Sequence, residues 1–267
     1  MEVLKYPNRL ASTFKRLRAG TRGVLLCDYD GTLAPFREDP SEARPYTWVP
    51  GILGDIAAWG TRVLIVSGRA ADDLLKLLHL EAIEIWGSHG RERIQPNGTR
   101  WVWKPNAETE HLLDRIENEL RRLAPGKRLE RKVGCLAIHW RGLSQTDAEW
   151  LQKTVDELRA RFDKHGVLMV KAFHMGVELQ APGPNKGSVV STILDEEKGA
   201  DIAVCYMGDD QTDEDAFQEL GERGLNVLVS PTPRLTFADV RLETGDEVRL
   251  FLEQWRDAVR GGCDHDE

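Results

Sequence analysis

Residues 23–33, GVLLCDYDGTL, open with a short apolar run from Gly23 to Cys27 and close on Asp28, Asp30 and a glycine. An unbroken apolar run of this length, ended by polar residues, has the form of a strand buried on both faces. RVLIVSG (Arg62–Gly68) and DIAVCYMGDD (Asp201–Asp210) repeat the pattern, and EAIEIWGSHG (Glu81–Gly90) and LNVLVS (Leu225–Ser230) are weaker copies. Between them, segments such as ADDLLKLLHL (71–80) and KGSVVSTILDEEKG (186–199) carry helical spacing. Continuous apolar strands alternating with helices predict an α/β fold, a parallel sheet covered on both faces. Ligands of such sheets bind beyond the carboxyl ends of the strands, so the polar residues that end these runs are where chemistry is expected.

The middle of the chain reads differently. From about Trp101 to Leu179 there are two long amphipathic helices, AETEHLLDRIENELRRL (107–123) and TDAEWLQKTVDELRARF (146–162). Alternating, antiparallel-looking strands accompany them: KRLERKVGCLAIHWR (127–141), VLMVKAF (167–173) and MGVELQA (175–181). This repeated helix–strand–strand pattern predicts a smaller α+β domain, residues 101–180, inserted into a sheet domain built from residues 1–100 and 181–267. The Pro/Gly-rich QPNG (95–98) and APGPNKG (181–187) are the expected crossings.

Composition excludes several classes. At 267 residues the chain has room for one large domain or two modest ones, and 41% hydrophobic with 30% charged residues is globular rather than disordered. A net charge of −8 argues against nucleic acid or anionic lipid as partner. No apolar stretch is long enough to span a membrane, and the charged start MEVLKYPNRLASTFKRL lacks the form of a signal peptide. Cys27, Cys135, Cys205 and Cys263 are scattered without a CxxC, which suggests neither a zinc site nor a disulfide framework. A cytoplasmic protein is expected. The chain closes on the acidic GGCDHDE, and His165 and His174 carry no readable pattern.

Asp28 and Asp30, two apart, point to one side while the chain stays extended, and Gly31 permits a tight turn beside a ligand. Two solvated turn aspartates are the plain alternative. The DxDxDG loop of an EF-hand is absent. Gly208-Asp209-Asp210-Gln211-Thr212-Asp213-Glu214 places more carboxylates after a second strand. A helix N-terminus accounts for Asp213 and Glu214 but poorly for Asp209 and Asp210, which repel unless a cation lies among them. Two acidic strand ends in one sheet suggest a Mg²⁺ site. Ser67-Gly68-Arg69 ends another strand, where a hydroxyl and free N–H groups would hold a phosphate oxygen, or where Ser67 is an ordinary N-cap. Lys186 begins a helix against the dipole preference, as a lysine holding a phosphate and a carboxylate would, yet GPNKGS is not a P-loop.

In this order DYDGTL, SGR, Lys186 and GDDQTDE resemble the four motifs of the haloacid-dehalogenase-like phosphatases, whose fold is a Rossmann-like parallel-sheet core with a cap. The resemblance implies Asp28 as the nucleophile that takes the phosphoryl group, and Asp30 as general acid and then base. It implies Ser67, Gly68 and Lys186 on the phosphate, and Mg²⁺ held by Asp28, the Asp30 carbonyl and Asp209, with Asp210 and Asp213 in support. An acid at Asp30 suits an alcohol leaving group, as in a sugar phosphate.

GDDQTDEDAF resembles more narrowly the last motif of the trehalose-6-phosphate phosphatases. Glu130-Arg131-Lys132, His139-Trp140-Arg141 and Gly176-Val177-Glu178-Leu179 followed by Lys186-Gly187 are similar to that family's cap elements. Lys132, His139, Arg141 and Glu178 would then face a disaccharide, with Arg69 and His89 from the core. Ser88-His89-Gly90 departs from the family's Glu-His-Gly. On strand alternation His139 and Arg141 share a face, and Lys132 joins them only through a bulge or turn near Gly134. A solvated sheet surface would show Lys and Arg as well. Trp101, Trp103 and Trp140 could stack on sugar rings or form core.

The resemblance implies a Mg²⁺-dependent phosphatase of trehalose 6-phosphate with a small sugar phosphate as substrate. Its alternatives are another glycosyl phosphate (sucrose phosphate, mannosyl- or glucosyl-3-phosphoglycerate, a pseudo-disaccharide phosphate) or a non-catalytic sugar-phosphate sensor. Neither nucleic acid nor membrane is expected as partner, and a functional pairing with a trehalose-phosphate synthase is the one it allows for.

Overall fold

The computed structural model describes residues 1–37, 42–80, 83–123, 128–173 and 175–263. Glu81, Ala82, Lys127, His174 and the last four residues of the acidic tail, all named above, lie outside these. The chain runs β1 Glu2–Val3, α1 Pro7–Arg18, β2 Arg22–Cys27, α2 Val49–Ala58, β3 Arg62–Val66, α3 Ala71–Leu78, β4 Glu84–Gly87, β5 Glu92–Ile94 and β6 Arg100–Val102. It continues with α4 Ala107–Leu123, β7 Leu129–Lys132, β8 Cys135–His139, α5 Gln145–Phe162, β9 Met169–Phe173 and β10 Gly176–Gln180. It closes with α6 Lys186–Glu196, β11 Ile202–Gly208, α7 Glu214–Leu220, β12 Leu225–Val229, β13 Val240–Leu242 and α8 Gly245–Cys263.

Two units result, Met1–Trp101 with Pro184–Glu267, and Val102–Gly183. Against the expected limits of 101–180, Ala181 belongs with the second unit: it is buried in that unit's core and its N–H donates to the Gly134 carbonyl.

The first unit holds a nine-stranded sheet in the order β1-β13-β12-β11-β2-β3-β4-β5-β6. From β13 to β4 the strands are parallel, while β1 runs antiparallel to β13 and β5 to β4. Leu25, Cys27, Val63, Ile65, Cys205 and Met207 enter one core, lined by α1, α2 and α8. Val24, Leu26, Leu64, Val66, Val204 and Tyr206 enter a second core, against α6 and α7. Successive apolar residues of these strands meet helix layers on opposite faces, which is why the sequence runs are unbroken rather than alternating. From β2 the chain moves to β3 and β4 on one side, then returns to build β11, β12 and β13 on the other. The order therefore reverses between β2 and β11, and such a reversal opens a crevice at the carboxyl ends of the two strands.

The second unit is a four-stranded antiparallel sheet, β7-β8-β10-β9. Leu136, Ile138, Val177 and Leu179 bury one face against Leu113, Ile116 and Leu120 of α4 and Leu151, Val155 and Leu158 of α5. Leu129 to His139 is not one strand but a hairpin of β7 and β8. Lys132 pairs with Cys135 across Val133-Gly134, and Gly134 takes φ +64°, where a Cβ would also lie 2.6 Å from the Trp103 ring. Opposed residues of an antiparallel pair point to the same side. The register therefore aligns Lys132, Cys135 and Gln180 in one row and Glu130, Ala137 and Glu178 in the next, on the face away from the core.

Candidate active site

Asp28 follows β2 directly, and its N–H still donates to the Met207 carbonyl of β11 at 2.8 Å, so the ladder fixes its place. Its carboxylate is buried, and Oδ1 lies 2.9 Å from Lys186 Nζ. Lys186 opens α6 behind Asn185, whose side chain caps the helix by accepting from the Ser188 N–H. The buried ammonium also reaches Asp213 Oδ1 at 2.7 Å, which accounts for a cation at the wrong end of a helix dipole. Burial would lower the Lys186 pKa, but Asp213 and Asp28 outweigh it and hold the group well above its ordinary value.

Asp213 is wholly buried, with both oxygens engaged. Oδ1 accepts from Lys186 and from the Tyr206 hydroxyl (2.8 Å), and Oδ2 accepts from the N–H groups of Asp209 (3.1 Å) and Asp210 (2.9 Å). It shapes the loop after β11 from beneath. Asp210 is exposed and caps the following turn, accepting from the Gln211 N–H. Arg234, which sequence reasoning missed, donates to the carbonyls of Asp209 (3.3 Å) and Asp210 (3.1 Å) while paired with Glu214. Its distant loop carries no sequence signal of this contact.

Asp209 faces Asp28. Carboxylate oxygens of Asp28, Asp209 and Asp213 lie within 4.8 Å of one another. Burial pushes the Asp28 pKa up to about 7 against the pull of Lys186, and burial with the charges of Asp28 and Asp213 pushes Asp209 up to about 10. Asp209 Oδ1 is buried without a hydrogen-bond partner. Two hard oxygen donors that repel each other, one of them orphaned, fit a divalent cation of the Mg²⁺ type. Gly31, at φ +79°, lets the chain pass this point, since a Cβ there would stand 2.1 Å from Asp209 Oδ2.

Asp30 is placed otherwise. Its carboxylate forms a two-point pair with Arg69, Nε to Oδ2 at 2.6 Å and Nη2 to Oδ1 at 2.7 Å. Arg69, expected toward substrate, thus holds the acid in this state, with its guanidinium over the Tyr29 ring. Ser67 lies buried at the end of β3, and its Oγ accepts from the Arg69 N–H. It is not the N-cap of α3, because Ala70 occupies that position. Gly68 is roofed by the His89 imidazole, 2.7 Å from where a Cβ would stand. Ser88 and His89 both adopt positive φ, 48° and 59°, a strained arrangement for non-glycine residues costing on the order of 1–3 kcal/mol each. Their N–H groups hold it by donating to the Arg69 and Ser67 carbonyls at 2.7 and 2.9 Å. Ser88, the departure from the family's motif, gives its hydroxyl to Glu92.

On the polar face of the second unit, Glu178 is buried and accepts from Cys135 Sγ at 3.3 Å and from the Gln180 amide. Lys132 Nζ stands 3.8 Å from Glu178 and 3.6 Å from Glu130, which His139 Nε2 approaches at 3.3 Å. Burial would lower the Lys132 pKa, and Glu178 and Glu130 reverse that. The His139 hydrogen bond, with Lys132, lowers Glu130. Lys132 thus bridges Glu178 and Glu130, and Glu130 in turn meets His139. Because β8 ends at His139, strand alternation does not extend to Arg141, which lies past it on an exposed turn. Gln180 was missed, although its position two residues after Glu178 on one strand face is a legible signal.

The trehalose-phosphatase family model matches residues 26–242. Trehalose 6-phosphate phosphatase RA3 of Zea mays is 31% identical over 274 residues, covering 94% of this chain and 74% of that protein. The C-terminal domain of C. albicans trehalose-6-phosphate phosphatase superposes with a TM-score of 0.76 at 23% identity, over 97% of this chain and 98% of that one. A haloacid dehalogenase-like hydrolase from Bacteroides thetaiotaomicron gives 0.65 at 17% identity, over 90% and 98%. The fold is thus the haloacid-dehalogenase-like one, a Rossmann-like core with an inserted α+β unit. Among the described residues no helix is long and apolar enough to cross a membrane.

Proposed function

Since the chain belongs to the trehalose-phosphatase family and is a phosphatase, we propose that it hydrolyses trehalose 6-phosphate through an aspartyl-phosphate on Asp28, with Mg²⁺ as cofactor. The observation that supports this most is the buried Asp28, held by the Lys186 ammonium and within 4.8 Å of the Asp209 carboxylate, one oxygen of which is buried without a partner. A carboxylate so placed is fixed for attack yet kept from full ionisation by its burial. Its companion cation would supply the missing positive charge and polarise the phosphoryl oxygens when bound. Asp28, Asp209 and the Asp30 carbonyl would hold that ion.

In the first displacement an Asp28 oxygen bonds to phosphorus, the bond from phosphorus to the sugar oxygen breaks, and Asp30 gives that oxygen its proton. In the second, water bonds to phosphorus and gives a proton to Asp30, the bond to Asp28 breaks, and phosphate leaves. Lys186, Ser67 and the N–H groups at Gly68 bind the phosphoryl oxygens, where preorganised donors act most strongly on developing charge. The two-point contact with Arg69 fixes the position of the Asp30 carboxylate, and an incoming phosphate competes for the same guanidinium. The polar face of the second unit, Glu178 and Lys132 foremost, reads the sugar hydroxyls.

A sensor needs no such cluster, since buried like charges cost stability unless used. Phosphate release from a panel of trehalose, sucrose, glucose and glycosyl-glycerate phosphates, with Mg²⁺ or with EDTA, tests the reading. Turnover should be greatest on trehalose 6-phosphate and vanish in EDTA. Preference for another glycosyl phosphate would reassign the substrate, and release in EDTA would remove the cation.

A further inference from the structure

A cavity of about 340 Å³ opens in the first unit between β4, the β5–β6 segment and α6. Trp86, Trp101, Gln95, Thr99, Ser188 and Thr192 stand in its wall, and none of the acidic-site residues does. The phosphatase reading has no use for it. Its size falls at the lower end of small-molecule sites, roughly 300–1,000 Å³, enough for one or two sugar rings.

The wall narrows the chemistry of an occupant. Arg93 also borders the cavity, but its Nε bonds to Glu84 (2.8 Å) and its two terminal nitrogens to Glu196 (2.6 and 3.0 Å). The guanidinium is neutralised, so nothing there compensates a phosphate or carboxylate ligand. The same guanidinium covers one side of Trp86, 4.8 Å from its ring. Trp86 and Trp101 stand 6.3 Å apart at an interplanar angle of 57°, which leaves no parallel slot for a flat base. What remains is the Trp101 indole, 46% exposed, with the uncharged Gln95, Thr99, Ser188 and Thr192 in the same wall, the last two hydroxyls donating to Asn185 Oδ1 and the Ser188 carbonyl and so offering acceptors. A pyranose matches both parts: its C–H face lies on an indole and its hydroxyls meet neutral hydrogen-bonding partners.

We propose that this cavity binds a neutral saccharide of one or two pyranose rings, at a site separate from the acidic one. Trp101 ends the first segment of its unit and Pro184, also in the wall, begins the second. A bound sugar would therefore touch the chain both where it leaves this unit and where it returns.

The test uses the full-length chain in EDTA, titrated with trehalose, maltose and glucose. Tryptophan fluorescence reports binding, and amide hydrogen exchange over residues 95–101 and 184–192 locates it. A saturable change with slowed exchange in those segments is expected for at least one sugar. Trp101→Ala should weaken it by about tenfold or more, since stacking on that indole is the main apolar contact. Thr192→Trp, which fills the cavity from the α6 side, should abolish it. Trp101 is half exposed, so its replacement keeps the fold even if the filled variant does not. No saturable binding, or binding unchanged by Trp101→Ala, would overturn the proposal, the second by placing the sugar elsewhere. Failure of phosphate release from trehalose 6-phosphate would leave it untouched.

Discussion

Asp209 shows how a single residue can be poor for stability and right for chemistry. Burial raises its pKa and that of Asp28 above the unfolded value, so between pH 4 and these raised values the folded chain binds more protons than the unfolded one. Stability in the absence of metal must then fall as pH rises through that window. Asp209→Asn removes one partner of the repelling pair. In EDTA it should match the parent near pH 5 and exceed it in Tm near pH 8, while losing Mg²⁺-induced stabilisation at both. Thermal unfolding followed by circular dichroism checks this, and a variant less stable than the parent at pH 8 would mean the pair does not repel. Asp28, Asp209 and Ser67 were legible in the sequence because each directly ends a buried strand, and strand ends converge in a parallel sheet. Their partners were not. The Arg69 clamp on Asp30 and the Arg234 clamp on Asp209 depend on which loops the topology brings together, and no local spacing encodes that.

At the scale of elements, the β7–β8 hairpin decides what the second unit presents. With the turn at Val133-Gly134, Lys132 stands on the same face as Glu178, and a one-residue slip would turn it toward the core. The sequence showed the strands and the need for a turn near Gly134, but not that Gln180 and Cys135 hold the Glu178 carboxyl. Glu178→Ala should cut kcat/KM for trehalose 6-phosphate by about tenfold or more, because a hydrogen bond to a charged group is worth roughly 1.5–3 kcal/mol. It should leave p-nitrophenyl phosphate hydrolysis near the parent value, since that substrate has no sugar to be read. Steady-state kinetics on both substrates separates the outcomes. Parallel loss on both would make Glu178 a structural residue, and no loss on either would remove it from sugar recognition.

At the scale of the whole molecule, the alternation of strand and helix read along the chain was enough to give a parallel sheet and an inserted α+β unit, but not the strand order with its reversal. The terminal helices α1 and α8 went unread, although Phe14, Leu17, Phe251 and Trp255 cover part of one face of the sheet beside α2. Their apolar residues are spaced among many arginines and acids, and only the core they cover makes the stripe evident. That core keeps β2 and β11 side by side, and with them Asp28 beside Lys186 and Asp209. The most direct measurement of the central claim is acid quench of the enzyme during turnover of trehalose 6-phosphate with Mg²⁺, followed by peptide mass spectrometry. A phosphoryl group is expected on the peptide that carries Asp28, absent in EDTA and absent from Asp28→Asn, which should also lose essentially all turnover. Steady turnover by Asp28→Asn at near the parent rate would contradict it.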